Sequence, residues 1–248
     1  MEGCRNTLLL PHSAGRHRGL EFSRQPTRNR ARGHHEAHPA GGGLRMVDQN
    51  LLLVAYAVPM VFGLVLMTKS GDGFANGLSQ RNPLLAHARR RHMLGMNIVA
   101  LLGFVVSVHT LWISNKISEG ANVCSTATVF SCDDVLGNAQ YNVDPVFGIS
   151  WGLIGMFAFG AVMFITNSVG KEPDALWAES YMRYGMYMTG AGMLVIALLV
   201  SYEVRMEKIC QFCTMAHIAN VLCLFGFWRA GKLHEAGAWN DNEPSTSA

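Results

Sequence analysis

The stretch that decides the fold is residues 93–113, which read MLGMNIVALLGFVVSVHTLWI. It contains no Lys, Arg, Asp or Glu, and His109 is its only titratable side chain. An α-helix rises about 1.5 Å per residue, so roughly 20 apolar residues can cross the hydrocarbon core of a bilayer. The stretch therefore predicts a transmembrane helix.

Four further blocks have the same apolar character and carry a single charged side chain among them, Arg183. They are Leu51–Met67, Phe147–Ile165, Tyr181–Tyr202 and Cys210–Trp228. Half of the chain is hydrophobic and only 15% is charged, against about 25% charged in soluble domains. The sequence therefore predicts an all-α integral membrane protein, in which one additional N-terminal transmembrane helix precedes a four-helix bundle core.

The two ends of the chain lack such blocks. Residues 1–45 hold eight Arg against three Glu without a helical or strand period, which indicates a disordered basic extension or a start upstream of the working initiator, Met46. We expect membrane lipid but no nucleic acid among the partners. The predicted divisions after the extension are residues 46–92 for the additional helix and a linker, 93–230 for the four-helix core, and 231–248 for a disordered tail.

Four of the six cysteines form two pairs beside the apolar blocks. Cys210 and Cys213 make a C-x-x-C at a helix start, where unsatisfied N–H groups stabilise a thiolate. Cys124 and Cys132 lie in a polar loop. Disulfide exchange proceeds by attack of a thiolate on a disulfide, so two neighbouring pairs of different reactivity can relay electrons. The pattern favours thiol–disulfide chemistry at a membrane surface, whereas Cys223, within an apolar helix, predicts an inert buried thiol.

The distribution of charges predicts the topology. Arg89–Arg91 directly precede residues 93–113, and Lys and Arg are enriched in cytoplasmic loops. The next loop, residues 114–146, has one Lys against four acidic residues, as an external loop should. Alternation then places both cysteine pairs on the same, extracytoplasmic side. We expect a multi-pass protein of the cell membrane.

Two other interpretations stay open. Cys210, Cys213 and His217, which follows Cys213 by one helical turn, offer three ligands for zinc in a metal-binding protein. Alternatively, the disulfides only staple a loop of a membrane protein that is not an enzyme. Covalent haem attachment is excluded because Thr214 stands where C-x-x-C-H needs His.

The cysteine arrangement resembles the vitamin K epoxide reductase family, including its bacterial and archaeal quinone-dependent members. The resemblance covers roughly residues 97–229. The residues that carry it are Gly103 and Ser107, Cys124 and Cys132, Ser131-Cys-Asp-Asp-Val-Leu136, Phe147-Gly-Ile149, Cys210-Gln-Phe-Cys213 and His217-Ile-Ala-Asn220. A wide cysteine pair followed by a C-x-x-C that opens the last core helix is highly specific to the family.

The resemblance implies an enzyme that forms disulfides outside the cytosol and passes electrons to a quinone. By position in the family motif, Cys213 would react with the quinone. Cys210 would pass the disulfide to Cys132, and Cys124 would meet an external thiol partner. That partner would be a separate thioredoxin-like protein, because the chain ends soon after its last predicted helix.

The resemblance also implies the quinone contacts. His217 stands where many members have Tyr, and its imidazole can donate a hydrogen bond or proton to a quinone oxygen. Asp144 stands about where animal members place an Asn, and Ser150 where many bacterial members have Pro. These departures favour a simple quinone of ubiquinone or menaquinone type over vitamin K epoxide. The other predicted contacts are Phe147, Trp151, Phe212, Met215 and Asn220, of which Asn220 should also bond another helix, since an unpaired amide is costly in lipid.

Overall fold

The computed structural model describes residues 49–71, 73, 77, 85, 87–121, 123 and 129–236. The helices whose bounds are described are five long ones and one short one, and the described residues contain two isolated β-bridges and no longer strand. The helices are α1 (Gln49–Met67), α2 (Ala88–Ser118), α3 (Cys132–Leu136), α4 (Trp151–Lys171), α5 (Ala178–Met206) and α6 (Gln211–Glu235). The predicted extension 1–45 lies outside the described residues, as do Cys124 and residues 237–248.

The five long helices are each long and apolar enough to cross a membrane. Their outer faces expose large apolar side chains, such as Leu194 (76% exposed), Phe157 (69%) and Val58 (62%). Such faces suit lipid, and a helix satisfies its backbone hydrogen bonds internally where no water is present. The chain is therefore a multi-pass membrane protein, and the predicted fold class, a helical membrane bundle with one extra helix, is confirmed.

The helix bounds differ from those of the apolar blocks. Helix α2 continues past residues 93–113 at both ends, because its backbone hydrogen bonds are made within the helix and do not require apolar side chains. Helix α4 instead begins at Trp151, later than the block that starts at Phe147. The residues before Trp151 form a turn organised by the Asp144 carboxylate, which is described with the site.

Helix α2 lies at the centre and packs against α1, α4 and α6, while α5 packs against α4 and α6. Small residues allow these helices to approach closely. A Cβ at Gly155 of α4 would lie 2.6 Å from the Ser107 hydroxyl of α2, and a Cβ at Gly103 of α2 would overlap the Phe159 ring. This close α2–α4 contact sets one wall of the cavity described below.

The end of the bundle away from the cysteine motifs is basic. The guanidinium of Arg89 forms an ion pair with Asp174 at 2.9 Å. The His92 ring is buried and lies within hydrogen-bond distance of two carbonyl oxygens, Met67 O at 3.3 Å and Gly226 O at 2.9 Å. These contacts join α1, α2 and α6 at that end.

Candidate redox site

Cys210 and Cys213 form a disulfide at the start of α6, with their Cα atoms 5.2 Å apart, a normal separation for such a bond. Cys210 is the N-cap residue of the helix, and its sulfur accepts a hydrogen bond from the Cys213 N–H at 3.2 Å. Cys210 is completely buried, whereas Cys213 is half-buried. The two sulfurs of one disulfide therefore have different surroundings.

A short backbone pairing attaches the cysteine loop to the C-x-x-C. The Ile209 N–H donates to Val129 O at 2.9 Å, and the Ser131 N–H donates to Ile209 O at 3.2 Å. This parallel bridge places Cys132 in the same apolar cluster as Cys210. Cys132 and the C-x-x-C consequently lie at the same end of the helix bundle.

The position of Cys132 is further determined by the short helix α3, of which it is the first residue. The Ser131 hydroxyl caps this helix by accepting a hydrogen bond from the Asp134 N–H at 3.2 Å. The Asp134 carboxylate also pairs with Lys208 at 3.4 Å, next to the bridge. Cys132 is thus buried on an anchored turn rather than on a free loop.

A cavity of about 300 Å³ lies between α2, α4, α5 and α6 and borders the disulfide at Cys213. Its walls are mainly apolar and come from lipid-facing helices, and such pockets of several hundred Å³ suit small organic ligands. Its polar lining residues include Ser107, Thr110, Tyr141, Asn142 and Glu203. Cys213 lines this cavity and also packs against the apolar cluster that contains Cys210 and Cys132, whereas Cys210 does not line the cavity.

Three of the predicted quinone contacts line the cavity together with Cys213: Trp151, His217 and Asn220. The indole N–H of Trp151 donates to Tyr141 O at 3.1 Å, which fixes the ring. The amide of Asn220 donates to Thr189 O of α5 at 3.0 Å, so it bonds a neighbouring helix and also faces the cavity. His217 lies one helical turn from Cys213, so both side chains share a face of α6.

The other four predicted contacts do not line the cavity. Phe147 points outward and is 80% exposed, and Met215 packs against the main apolar core. Phe212 is buried on the opposite side of the disulfide, where its ring meets the His109 ring edge to face at 4.7 Å. Helical periodicity separates Phe212 and Met215 from the Cys213–His217 face.

Asp144 has a structural place in the loop before α4. One carboxylate oxygen accepts from the N–H of Val146 (3.0 Å) and of Phe147 (2.8 Å), and the other accepts from Ile149 (2.7 Å). Gly148 within this turn has φ +68°, a conformation that favours glycine. The turn explains why α4 begins only at Trp151 and why Phe147 faces outward.

The Asp144 turn makes a pH-dependent contribution to stability. The hydrogen bond from Phe147 N–H, followed by those from Ile149 and Val146, lowers the pKa of Asp144 against the opposing effect of desolvation. Because the folded-state pKa lies below the unfolded one, the ionised group stabilises the fold above about pH 4, and this is lost as pH falls through the folded-state pKa. We expect Asp144→Asn, whose amide cannot accept from Ile149, to lower Tm by a few degrees at pH 7.

The measurement is thermal unfolding of the detergent-solubilised protein at pH 7 and at pH 3, with Glu172→Gln, which changes an exposed carboxylate at the other end of the bundle, as a comparison. The difference between wild type and Asp144→Asn should shrink at pH 3. An equal difference at both pH values would mean that the charge of Asp144 is not what stabilises the turn.

Glu203 is a site residue that sequence reasoning missed. It lies near the end of α5, is 8% exposed and lines the cavity. Its carboxylate accepts a hydrogen bond from the Cys210 N–H at 3.1 Å. The available signal was an acidic residue directly after the apolar block 181–202, seven positions before the C-x-x-C.

Helix α1 also reaches the redox site, a connection that the sequence did not indicate. The Tyr56 hydroxyl lies 3.2 Å from His109 Nδ1 on α2, and the His109 ring packs against Phe212 of the C-x-x-C. The ring of Tyr56 contacts Phe212 directly as well, edge to face at 6.4 Å. The additional helix therefore supports the buried side of the disulfide.

The predicted zinc ligands do not form a metal centre here. Cys210 and Cys213 are joined to each other, and in the described part of the chain no group of three or more His, Cys, Asp or Glu side chains is placed to hold a metal ion.

Comparison with known proteins identifies the family. A family model described as the vitamin K epoxide reductase family matches residues 94–228. Neither the comparison with curated proteins nor that with solved structures found a match. The matched region includes both cysteine motifs and every helix that lines the cavity. Because it spans more than half of a chain with five membrane helices, the protein belongs to the vitamin K epoxide reductase family of membrane oxidoreductases.

Proposed function

We propose that the protein is a quinone-dependent thiol–disulfide oxidoreductase that forms disulfides outside the cytosol. The observation that carries this proposal is the position of the Cys210–Cys213 disulfide between two environments. Cys213 lines the cavity, and Cys210 shares a buried cluster with Cys132. One disulfide can therefore exchange electrons with a ligand on one side and with a second cysteine on the other.

The cavity suits a simple quinone of ubiquinone or menaquinone type. Its apolar walls match a ring and tail that dissolve in lipid, and Trp151, fixed by its bond to Tyr141 O, offers a flat surface to a ring. A quinone bound there would accept two electrons and two protons for each disulfide formed. His217 would donate a hydrogen bond to a quinone oxygen as that oxygen gains negative charge.

Cys132, which belongs to the same buried cluster as Cys210, would exchange with it. Attack of the Cys132 thiolate on the Cys210 sulfur would break the Cys210–Cys213 bond and form a Cys132–Cys210 disulfide. Attack by the Cys124 thiolate on Cys132 would then release Cys210 as a thiol and leave a Cys124–Cys132 disulfide. A separate thioredoxin-like protein would take this disulfide over and become oxidised.

The charges of the bundle support an extracytoplasmic position for the cysteines in the cell membrane. Arg89 and Arg91 begin α2, and Lys232 lies in the last turn of α6, at the end away from the disulfide. Because cytoplasmic ends are enriched in Lys and Arg, that end would face the cytoplasm.

The test uses the full chain in lipid nanodiscs with a short-chain ubiquinone and a reduced thioredoxin-like protein. We expect quinol to form, followed by its absorbance change, and a Cys132–Cys210 disulfide to be trapped by acid quenching and found by mass spectrometry. Absence of both products would reject the proposal. Stoichiometric zinc with free thiols would instead support a metal-binding protein, and a Cys124–Cys132 disulfide that never exchanges would support a structural staple.

The role of His217 can be separated from that of the cysteines. We expect His217→Gln to slow quinol formation roughly 10- to 100-fold, at the lower end of what a positioned proton donor contributes. Disulfide exchange between Cys132 and Cys210 should be unchanged, because His217 lines the cavity and does not belong to the cluster that holds these two cysteines. His234→Gln, at the far end of the same helix, is the matched control, and equal effects of the two variants would remove His217 from the site.

A further inference from the structure

Glu203 is a buried carboxyl group that the relay of cysteines does not use. It belongs to a membrane-spanning helix, lines the cavity, and accepts a hydrogen bond from the backbone N–H of Cys210 at 3.1 Å. Among the residues that the structure describes, this backbone N–H is the one hydrogen-bond partner of the Glu203 carboxylate, and no cation pairs with the carboxylate. Ionisable groups within membrane helices are costly and mark functional positions.

The groups around Glu203 are suited to proton transfer. From α6, Cys213 and His217 line the same cavity, and the loop before α4 contributes the Tyr141 hydroxyl. Tyr202, the neighbour of Glu203 on α5, also lines the cavity. Lys208, five residues after Glu203, pairs its ammonium with Asp134. The cavity-lining residues of α2, α3 and α4 do not titrate.

The reaction of the proposed function requires protons to move as well as electrons. When the Cys210–Cys213 dithiol is oxidised, two S–H bonds break, one S–S bond forms, and two electrons pass to the quinone. Two protons must leave the sulfurs, and two must reach the quinone oxygens. The Glu203 carboxylate is held at the backbone amide of Cys210 and lines the cavity, so it lies between the cysteine pair and the space for a quinone.

We propose, resting on the proposed function, that Glu203 carries one of these protons. Its carboxylate takes a proton from a thiol of the pair, which leaves a thiolate whose electrons pass to the quinone. The resulting carboxylic acid then donates that proton to a quinone oxygen. The second proton reaches the other quinone oxygen through His217. Glu203 is therefore a catalytic residue as well as the hydrogen-bond partner of Cys210.

The experiment compares Glu203→Gln with wild type in the full chain in nanodiscs. Gln keeps a carbonyl oxygen that can accept from the Cys210 N–H, so a purely structural role would be preserved, while the ability to take a proton is lost. Glu207→Gln is the matched control, because Glu207 is exposed, follows α5 by one residue and does not line the cavity. Glu203→Asp retains a titrating carboxylate and tests rescue.

Two pH profiles are recorded. The first is the rate of quinol formation with a short-chain ubiquinone and dithiothreitol. The second is the alkylation rate of the reduced Cys213, which is half-buried and lines the cavity, followed by mass spectrometry; it needs no quinone. We expect Glu203→Gln to lower quinol formation about 100-fold at neutral pH, to remove one limb of its pH profile, and to shift the alkylation profile. Glu203→Asp should recover part of both, and Glu207→Gln should match wild type.

The outcomes separate this inference from the function on which it rests. If wild type forms quinol and Glu203→Gln has the wild-type rate and both wild-type profiles, the carboxyl only positions Cys210 and the inference fails alone. If wild type forms no quinol, the proposed function fails, and the alkylation profile still decides whether Glu203 takes a proton from the thiols.

Discussion

Replacement of Cys213 by Ala is expected to abolish quinol formation, with a loss of at least about 10³-fold, in the range found when a catalytic nucleophile is removed. Cys213 carries the sulfur of the C-x-x-C that faces the cavity, whereas Cys210 is completely buried beside Cys132. Without Cys213 no disulfide can form next to the cavity, so electrons have no route into it. The measurement is quinol absorbance under excess dithiothreitol.

The control for this prediction is Cys223→Ala. Cys223 is also a buried cysteine of α6, but it packs in the main apolar core and does not line the cavity. Its replacement should leave the rate within about twofold of wild type, since a surface or core change that keeps the fold leaves the site intact. Quinol formation that survives Cys213→Ala would show that Cys213 is not the residue that meets the quinone.

Replacement of Cys132 by Ala is expected to separate the two halves of the reaction. A small dithiol that reaches Cys213 from the cavity side should still reduce the Cys210–Cys213 disulfide, so quinol formation with dithiothreitol should remain within a fewfold of wild type. Oxidation of a thioredoxin-like protein should fall by at least about 10³-fold, because the cysteine that shares the buried cluster of Cys210, and that we propose exchanges with it, is gone.

Both activities are measured on the same preparation, with thermal unfolding to confirm that α3 still forms. Cys124→Ala should likewise keep quinol formation with dithiothreitol and lose oxidation of the thioredoxin-like protein, since it removes the other cysteine of the predicted pair. A Cys132→Ala protein that oxidises the thioredoxin-like partner at the wild-type rate would mean that the partner reaches the C-x-x-C directly. The bridge between residues 129–131 and Ile209 would then be a structural contact only.

The membrane helices and the redox face of α6 could be predicted because both depend on local properties of the chain. In a bilayer every backbone polar group must be satisfied within its own helix, so an apolar stretch such as residues 93–113 has one available conformation. The i, i+4 spacing of Cys213 and His217 places both on one helix face by periodicity alone. Both side chains do line the cavity.

Other features depend on contacts between residues far apart in sequence. The Asp144 carboxylate delays the start of α4 and turns Phe147 outward, so a residue expected near the quinone is 80% exposed. Phe212 was expected at the cavity because it lies within the C-x-x-C, yet it packs towards His109 on the other side. The division of the chain at residues 46, 93 and 231, and the roles assigned to the site residues, stay predictions.

The sequence by itself determined that this chain is a helical membrane protein with a C-x-x-C at the mouth of its last helix, because apolar length and helical period are local quantities. Tertiary structure alone decided which sulfur faces the cavity, that Ile209 binds the segment beside Cys132, and that Glu203 reaches the Cys210 amide. These juxtapositions arise from the packing of helices against one another, and no pattern within a single helix encodes them.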